Sequence, residues 1–104
     1  LILEDSDWPQ NRYLFALAAM ALNNFSDAEK ALAPLVHSNP KEMTLEMISQ
    51  VPGGAAGLFL LGNICRREHR INSAIDYYKL SLKVDPFMWS AHTALCEMGH
   101  VYAL

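Results

Sequence analysis

GLFLLGNICRREHRINSAIDYYKLSLKVDPFM, residues 57–88, is the stretch from which the rest of the chain can be read. Within it Leu58, Leu61, Gly62 and Cys65 stand three, one and three residues apart, followed by Ala74, Tyr78, Leu82 and Pro86. Leu58, Leu61 and Cys65 recur at i, i+3 and i+7, so they share one face of a first helix. Ala74, Tyr78 and Leu82 recur at i, i+4 and i+8 and share one face of a second. Gly62 and Ala74 are small where two such helices would cross, which lets the backbones approach closely. Pro86 cannot continue a helix, because it lacks an N–H and clashes with the preceding turn. The stretch therefore predicts a helix hairpin.

The spacing is that of a tetratricopeptide repeat of about 34 residues, W-x2-LG-x2-Y, then A-x3-F, then P. Upstream, Ala16, Ala28 and Pro40 repeat the intervals of Gly62, Ala74 and Pro86, twelve residues each. Ala28 and Ala74 are 46 residues apart, so about a dozen residues are inserted after Pro40. The expected fold is all-α, a tetratricopeptide-repeat helix-hairpin solenoid of about two and a half repeats. It divides into a repeat over 9–42, an insertion over 43–54, a repeat over 55–88 and the first helix of a further repeat over 89–104.

Local signals fill in this frame. Ser6 or Asp7 can cap a first helix with Pro9 in its opening turn, and NRYLFALAAMAL from Asn11 onward is strongly helical until Asn23 and Asn24 break it. Ser26 and Glu29 form an S-x-x-E capping box that starts the next helix there. Pro34 should kink that helix or loosen its last turn. The inserted KEMTLEMISQVPGG, carrying Met43, Leu45, Met47 and Ile48, reads as a short, weakly specified helix or an ordered loop ended by Val51, Pro52, Gly53 and Gly54. Beyond Pro86 a third unit begins at about Phe87, with Leu95 and Cys96 where Leu61 and Gly62 stand. Gly99 and Tyr102 also match the G-x2-Y spacing, which leaves the register after Glu97 open.

With 104 residues, 52% hydrophobic and 18% charged, the chain can bury a core. A net charge of −3 and a pI of about 5.7 favour neither nucleic acid nor an anionic membrane surface as partner. The basic run Arg66, Arg67, Glu68, His69, Arg70 falls in the predicted turn and reads as a solvated turn before it reads as a binding patch. Cys65 and Cys96, with no secretory pattern, are expected to be free thiols in a reducing compartment. No apolar run approaches the length of a bilayer span. A start at Leu1 suggests a segment of something longer.

Chemistry-bearing motifs are missing: there is no Gly-rich phosphate loop, G-x-S-x-G or H-E-x-x-H. One coincidence stands out. Cys65 with His69 and Cys96 with His100 are i, i+4 pairs on first helices of neighbouring repeats, four ligands of the kind zinc takes tetrahedrally. Both cysteines also occupy positions where the repeat wants small packing residues, so packing is the simpler reading. His37 and His92 have no partner at metal or triad spacing and read as surface or interface residues, while Trp8 and Trp89, beside helix starts, read as packing anchors. No enzyme, cofactor or metal is expected; a small zinc- or thiol-dependent activity is the remote competitor.

In a helix-hairpin solenoid the first helices line a concave groove that receives partners. By repeat position the groove residues are Gln10, Tyr13, Leu17 and Met20, then Ala56, Phe59, Asn63 and Arg66, then Ser90, Thr93, Glu97 and His100. Tyr13, Leu17, Met20, Phe59, Asn63 and Arg66 are the candidate partner-binding set. An apolar stripe of this kind calls for an apolar, helical occupant or for a segment of the same polypeptide. Tetratricopeptide domains that clamp acidic chaperone tails carry Lys, Asn and Arg in the groove; here Phe59, Ser90 and Ala94 replace several of these and only Asn63 matches, so that activity is not expected. A tetratricopeptide adaptor for another helical or extended peptide is the alternative.

From Val51 onward the chain resembles the N-terminal region of the Cdc27 (APC3) family, subunits of the anaphase-promoting complex, a multisubunit ubiquitin ligase. LLGNICR and above all SLKVDPFMWSAHTALCEMG, Ser81 to Gly99, carry the resemblance, and YLFALAAMALNNFSDAEKAL, Tyr13 to Leu32, looks like the preceding repeat. The resemblance implies a non-catalytic scaffold in the nucleus and cytoplasm, acting in the cell cycle. Its partners would be other subunits of that complex and a second copy of itself, each protomer's groove clasping the other. In that family the site for the Ile-Arg tails of coactivators lies in C-terminal repeats, which this chain does not contain, and the earliest N-terminal repeats would precede Leu1.

Overall fold

In a computed structural model of the chain, residues 9–32 and 43–99 are described. They form six helices and no strand: α1 Pro9–Ala21, α2 Phe25–Leu32, α3 Leu45–Ser49, α4 Ala55–Arg67, α5 Ile71–Val84 and α6 Trp89–Glu97. None of these helices is long and apolar enough to cross a membrane. The proposed cap at Ser6 or Asp7, the packing of Trp8, the kink at Pro34 and the positions of His37, Pro40, His100 and Tyr102 lie outside the described residues.

Two hairpins, α1–α2 and α4–α5, turn in the same way. Asn23 and His69 both take left-handed backbone, φ 62° and 64°. At each, the next residue's N–H reaches back across the last helical turn: Asn24 to the Ala19 carbonyl and Arg70 to the Cys65 carbonyl, both at 2.8 Å. One left-handed residue thus closes the helix, satisfies an orphan carbonyl and reverses the chain. The second helix then starts at once, with Ala28 N–H on the Asn24 carbonyl and Ala74 N–H on the Arg70 carbonyl, each at 3.0 Å.

This tight turn corrects the expected capping box. Helix α2 begins at Phe25, which puts Ser26 in its first turn and exposed, while the Glu29 carboxylate bonds to Arg70. A two-residue reversal leaves no room for Ser26 to serve as cap.

Within each hairpin the small residues lie at the crossing: Ala16, Ala28 and Ala74 are fully buried, and Gly62 is buried. A Cβ on Gly62 would lie 2.5 Å from the Tyr78 ring, so only glycine admits that ring. Leu58, Leu61, Cys65, Tyr78 and Leu82 fill the α4–α5 core, and the buried Ser81 hydroxyl donates to the Ala55 carbonyl at 2.7 Å. Helix α4 also packs on α2 and α1, and α6 packs on α5 through Ala91, Ala94 and Leu95.

The segment between the hairpins is better specified than its composition suggests. Thr44 caps α3 by accepting the Met47 N–H at 3.2 Å, and Ile48, Val51 and Pro52 are buried.

Gly62→Leu, which forces side-chain atoms into the Tyr78 ring, should destabilise the fold by about 1–3 kcal/mol. Thermal melts check this, and an unchanged midpoint would mean that the ring does not pack there. Ser26→Ala, at an exposed position inside a helix, should change stability by less than about 0.5 kcal/mol in the same assay.

Candidate protein-interaction surface

Helix α4 divides its faces among three tasks. Leu58, Leu61, Gly62 and Cys65 meet α5; Leu60, Ile64 and Arg67 turn toward the first hairpin, while Gly57 abuts Val51 and Pro52 of the inserted segment; Ala56, Phe59, Asn63 and Arg66 remain half-buried on the third face. On α1 the corresponding third face carries Tyr13, Leu17 and Met20. Leu17 is 40% exposed, while Tyr13 and Met20 pack partly against the core. The Gln10 side chain and His100 lie outside the described residues.

These side chains are held from behind. The Phe59 and Tyr78 rings lie 5.7 Å apart, tilted by 40°. The Tyr78 hydroxyl donates to Asn63 Oδ1 at 2.6 Å, which fixes the Asn63 amide with its NH2 outward. Burial pushes the Tyr78 phenol up, so it keeps the proton it donates. Arg66 pairs with Glu97 at 3.1 Å, a bond that raises its pKa above the ordinary value and joins a groove position on α4 to one on α6. Tyr13 is covered on one side by the chain itself: its ring lies so close to Gly53 that a Cβ there would come within 2.6 Å. The surface is therefore apolar and partly lined by the inserted turn at the α1 end, and polar at the α6 end, where Ser90, Thr93 and Glu97 are exposed.

The basic run is not a free solvated turn. Arg70 forks across Glu29 of α2, Nη1 to Oε2 at 3.2 Å and Nη2 to Oε1 at 3.0 Å, and also bonds Glu68. Arg67 lies over the Phe25 ring with its Cζ 5.9 Å from the centroid. Together with Arg66 on Glu97, the arginines clasp elements on both sides of the second hairpin. Sequence reasoning missed this because Glu29 and Arg70 are 41 residues apart and meet only once the hairpins stack.

Cys65 is buried, and desolvation pushes its thiol up to about 11, so it is protonated and shielded at neutral pH. Cys96, in the last turn of α6, is exposed. Among the described residues no three His, Cys, Asp or Glu side chains gather as a metal would require. Trp89 is 64% exposed and Phe87 78%, which corrects the reading of Trp89 as a packing anchor: it opens α6, and its ring stands T-shaped to His92 with centroids 5.7 Å apart.

Arg70→Ala should cost about 0.5–1 kcal/mol, because the Arg70 and Glu29 side chains are 42% and 33% exposed and water screens the pair. Urea melts in low and high salt check it. The wild-type advantage should shrink in high salt, and an equal loss at both ionic strengths would assign the effect to packing instead.

No protein-family model matches the chain. Among characterised proteins it is similar to Cell division cycle protein 27 homolog A of Arabidopsis thaliana, 40% identical over 94% of this chain, and to homolog B of the same plant at 35% over 94%. The Homo sapiens Cell division cycle protein 27 homolog is 29% identical over 88% of the chain. The chain spans 12% of the length of the plant relatives it matches. Similarity that runs through both hairpins, the inserted segment and α6 places this chain, as a segment, in the Cell division cycle protein 27 family.

Proposed function

We propose that this chain is a non-catalytic, tetratricopeptide-type scaffold segment of the anaphase-promoting complex, and that its groove holds a second copy of the same protein. The observation that carries the reading is the half-open stripe of Tyr13, Leu17, Met20 and Phe59, set on rigid helix hairpins within a chain similar to cell-division proteins over 94% of its length. Repeat units over 9–42, 55–88 and 89–104, with the 43–54 insertion between the first two, belong to the same reading, as does action in the nucleus and cytoplasm.

An apolar stripe suits a scaffold. Burying a large side chain contributes about 1.5–3 kcal/mol, so a few anchors hold an interface with no buried charge. Asn63 and Arg66, oriented by Tyr78 and Glu97, would supply direction at the polar end. A scaffold also suits Cys65, whose burial and raised pKa disable it as a nucleophile.

The test is self-association of the full-length protein, measured by sedimentation for wild type, Leu17→Ala and Phe59→Ala, with circular dichroism as folding control. Leu17 is the cleaner probe, since Phe59 also supports Tyr78. Loss of a groove anchor should weaken the dimer at least about tenfold with helicity retained. An unchanged dimer constant for both variants would remove these residues from the interface and favour a peptide adaptor.

A further inference from the structure

The inserted segment is held more firmly than a linker between two hairpins requires. Thr44 caps α3, Ile48 and Val51 belong to the core, and Pro52 is buried. The Pro52 carbonyl rests directly on the backbone of α4 at Gly57, where any Cβ would collide with it, so this approach needs glycine. Gly54 N–H then bonds the Val51 carbonyl at 3.0 Å, and Ala56 N–H the Gly53 carbonyl at 3.1 Å. The turn is thereby fixed to the start of α4, and from there it reaches across to α1. Gly53, exposed and left-handed at φ 84°, meets the Tyr13 ring. A Cβ on Gly53 would lie 2.6 Å from Cδ1 of that ring and 3.0 and 3.1 Å from the two neighbouring ring carbons, the distances of an atom above the ring rather than at its edge.

We infer that the inserted turn is a working part of the interaction surface: the bare backbone of Gly53 seats one face of the Tyr13 ring, so Gly53 is the positioning residue that sets how this anchor meets the groove's occupant. The inference rests on the reading of the groove given above and adds to it the segment between the hairpins. Tyr13 is half-buried, with the turn beneath it and part of the ring left open. A ring standing free on α1 would lose rotamer freedom on binding, whereas a ring already laid on a fixed backbone has less to lose and offers its open side in one pose. A side chain at residue 53 would lift the ring out of that pose, and the firm attachment of the turn at Gly57 leaves it little room to retreat.

The full-length protein tests this, with self-association read by sedimentation and local opening by hydrogen exchange resolved peptide by peptide. Gly53→Ala should weaken the dimer by about tenfold, as Tyr13→Ala does, and the double variant should be no weaker than Tyr13→Ala alone. Tyr13→Phe, which keeps the ring, should retain wild-type association. Gly54→Ala controls for backbone strain, because φ is 57° there but a Cβ meets open space; it should stay within about twofold of wild type. An unaffected dimer in Gly53→Ala would overturn the inference. Losses that multiply in the double variant, or an equal loss in Gly54→Ala, would also overturn it, by assigning the effect to general distortion of the turn. Hydrogen exchange separates the seat from the groove: Tyr13→Ala should speed exchange of the 51–58 amides by about tenfold, while Leu17→Ala should not. Unchanged exchange in Tyr13→Ala would remove the seat even if Leu17→Ala weakens the dimer. Faster exchange with a dimer that no groove variant weakens would leave the seat standing and overturn both its positioning role and the proposed occupant of the groove.

Discussion

The packing of Tyr78 against Gly62 is the contact on which most of the architecture rests. A Cβ on Gly62 would come within 2.5 Å of the ring, so the approach of α4 to α5 is set by a missing side chain. The ring is wholly buried, and covering a residue of this size contributes about 1.5–3 kcal/mol. The same residue then works outward: its ring backs Phe59 and its hydroxyl holds Asn63. One core contact therefore sets both the crossing of the hairpin and the presentation of the surface above it.

Stacking one hairpin on another uses different physics. The interior of each hairpin is apolar, whereas the rim of the seam between them carries Arg70 on Glu29 and Arg67 on Phe25. Partly exposed pairs contribute little to stability, but a forked guanidinium–carboxylate bond is directional. Its value lies in fixing the angle at which the hairpins meet, and so the curvature of the face that carries Tyr13, Leu17, Met20 and Phe59. Arg66 on Glu97 does the same between α4 and α6. The left-handed residues Asn23 and His69 make this possible, because identical reversals deliver each second helix in the same orientation.

On helix α1, Leu17 in the groove and Leu14 on the outer side are 40% and 54% exposed. Phe87 and Trp89, at the corner where α6 begins, are exposed apolar side chains as well.

Spacing alone determined the helix hairpins. Small residues at Ala16, Ala28, Gly62 and Ala74, apolar residues at helical intervals and Asn23-Asn24 as a break are local signals, and each recurs at its expected place because helix periodicity and close packing allow few alternatives. The third-face positions of α1 and α4 were legible for the same reason. What the tertiary structure alone decided depends on residues far apart in the chain. The capping box at Ser26 yielded to a turn closed by Asn23, and the basic run became a set of clasps because Glu29, Phe25 and Glu97 were brought to it. A charge pattern names which residues can pair, but the partner 41 residues away is selected only when two hairpins meet at a fixed angle, and that angle is a property of the packed interface.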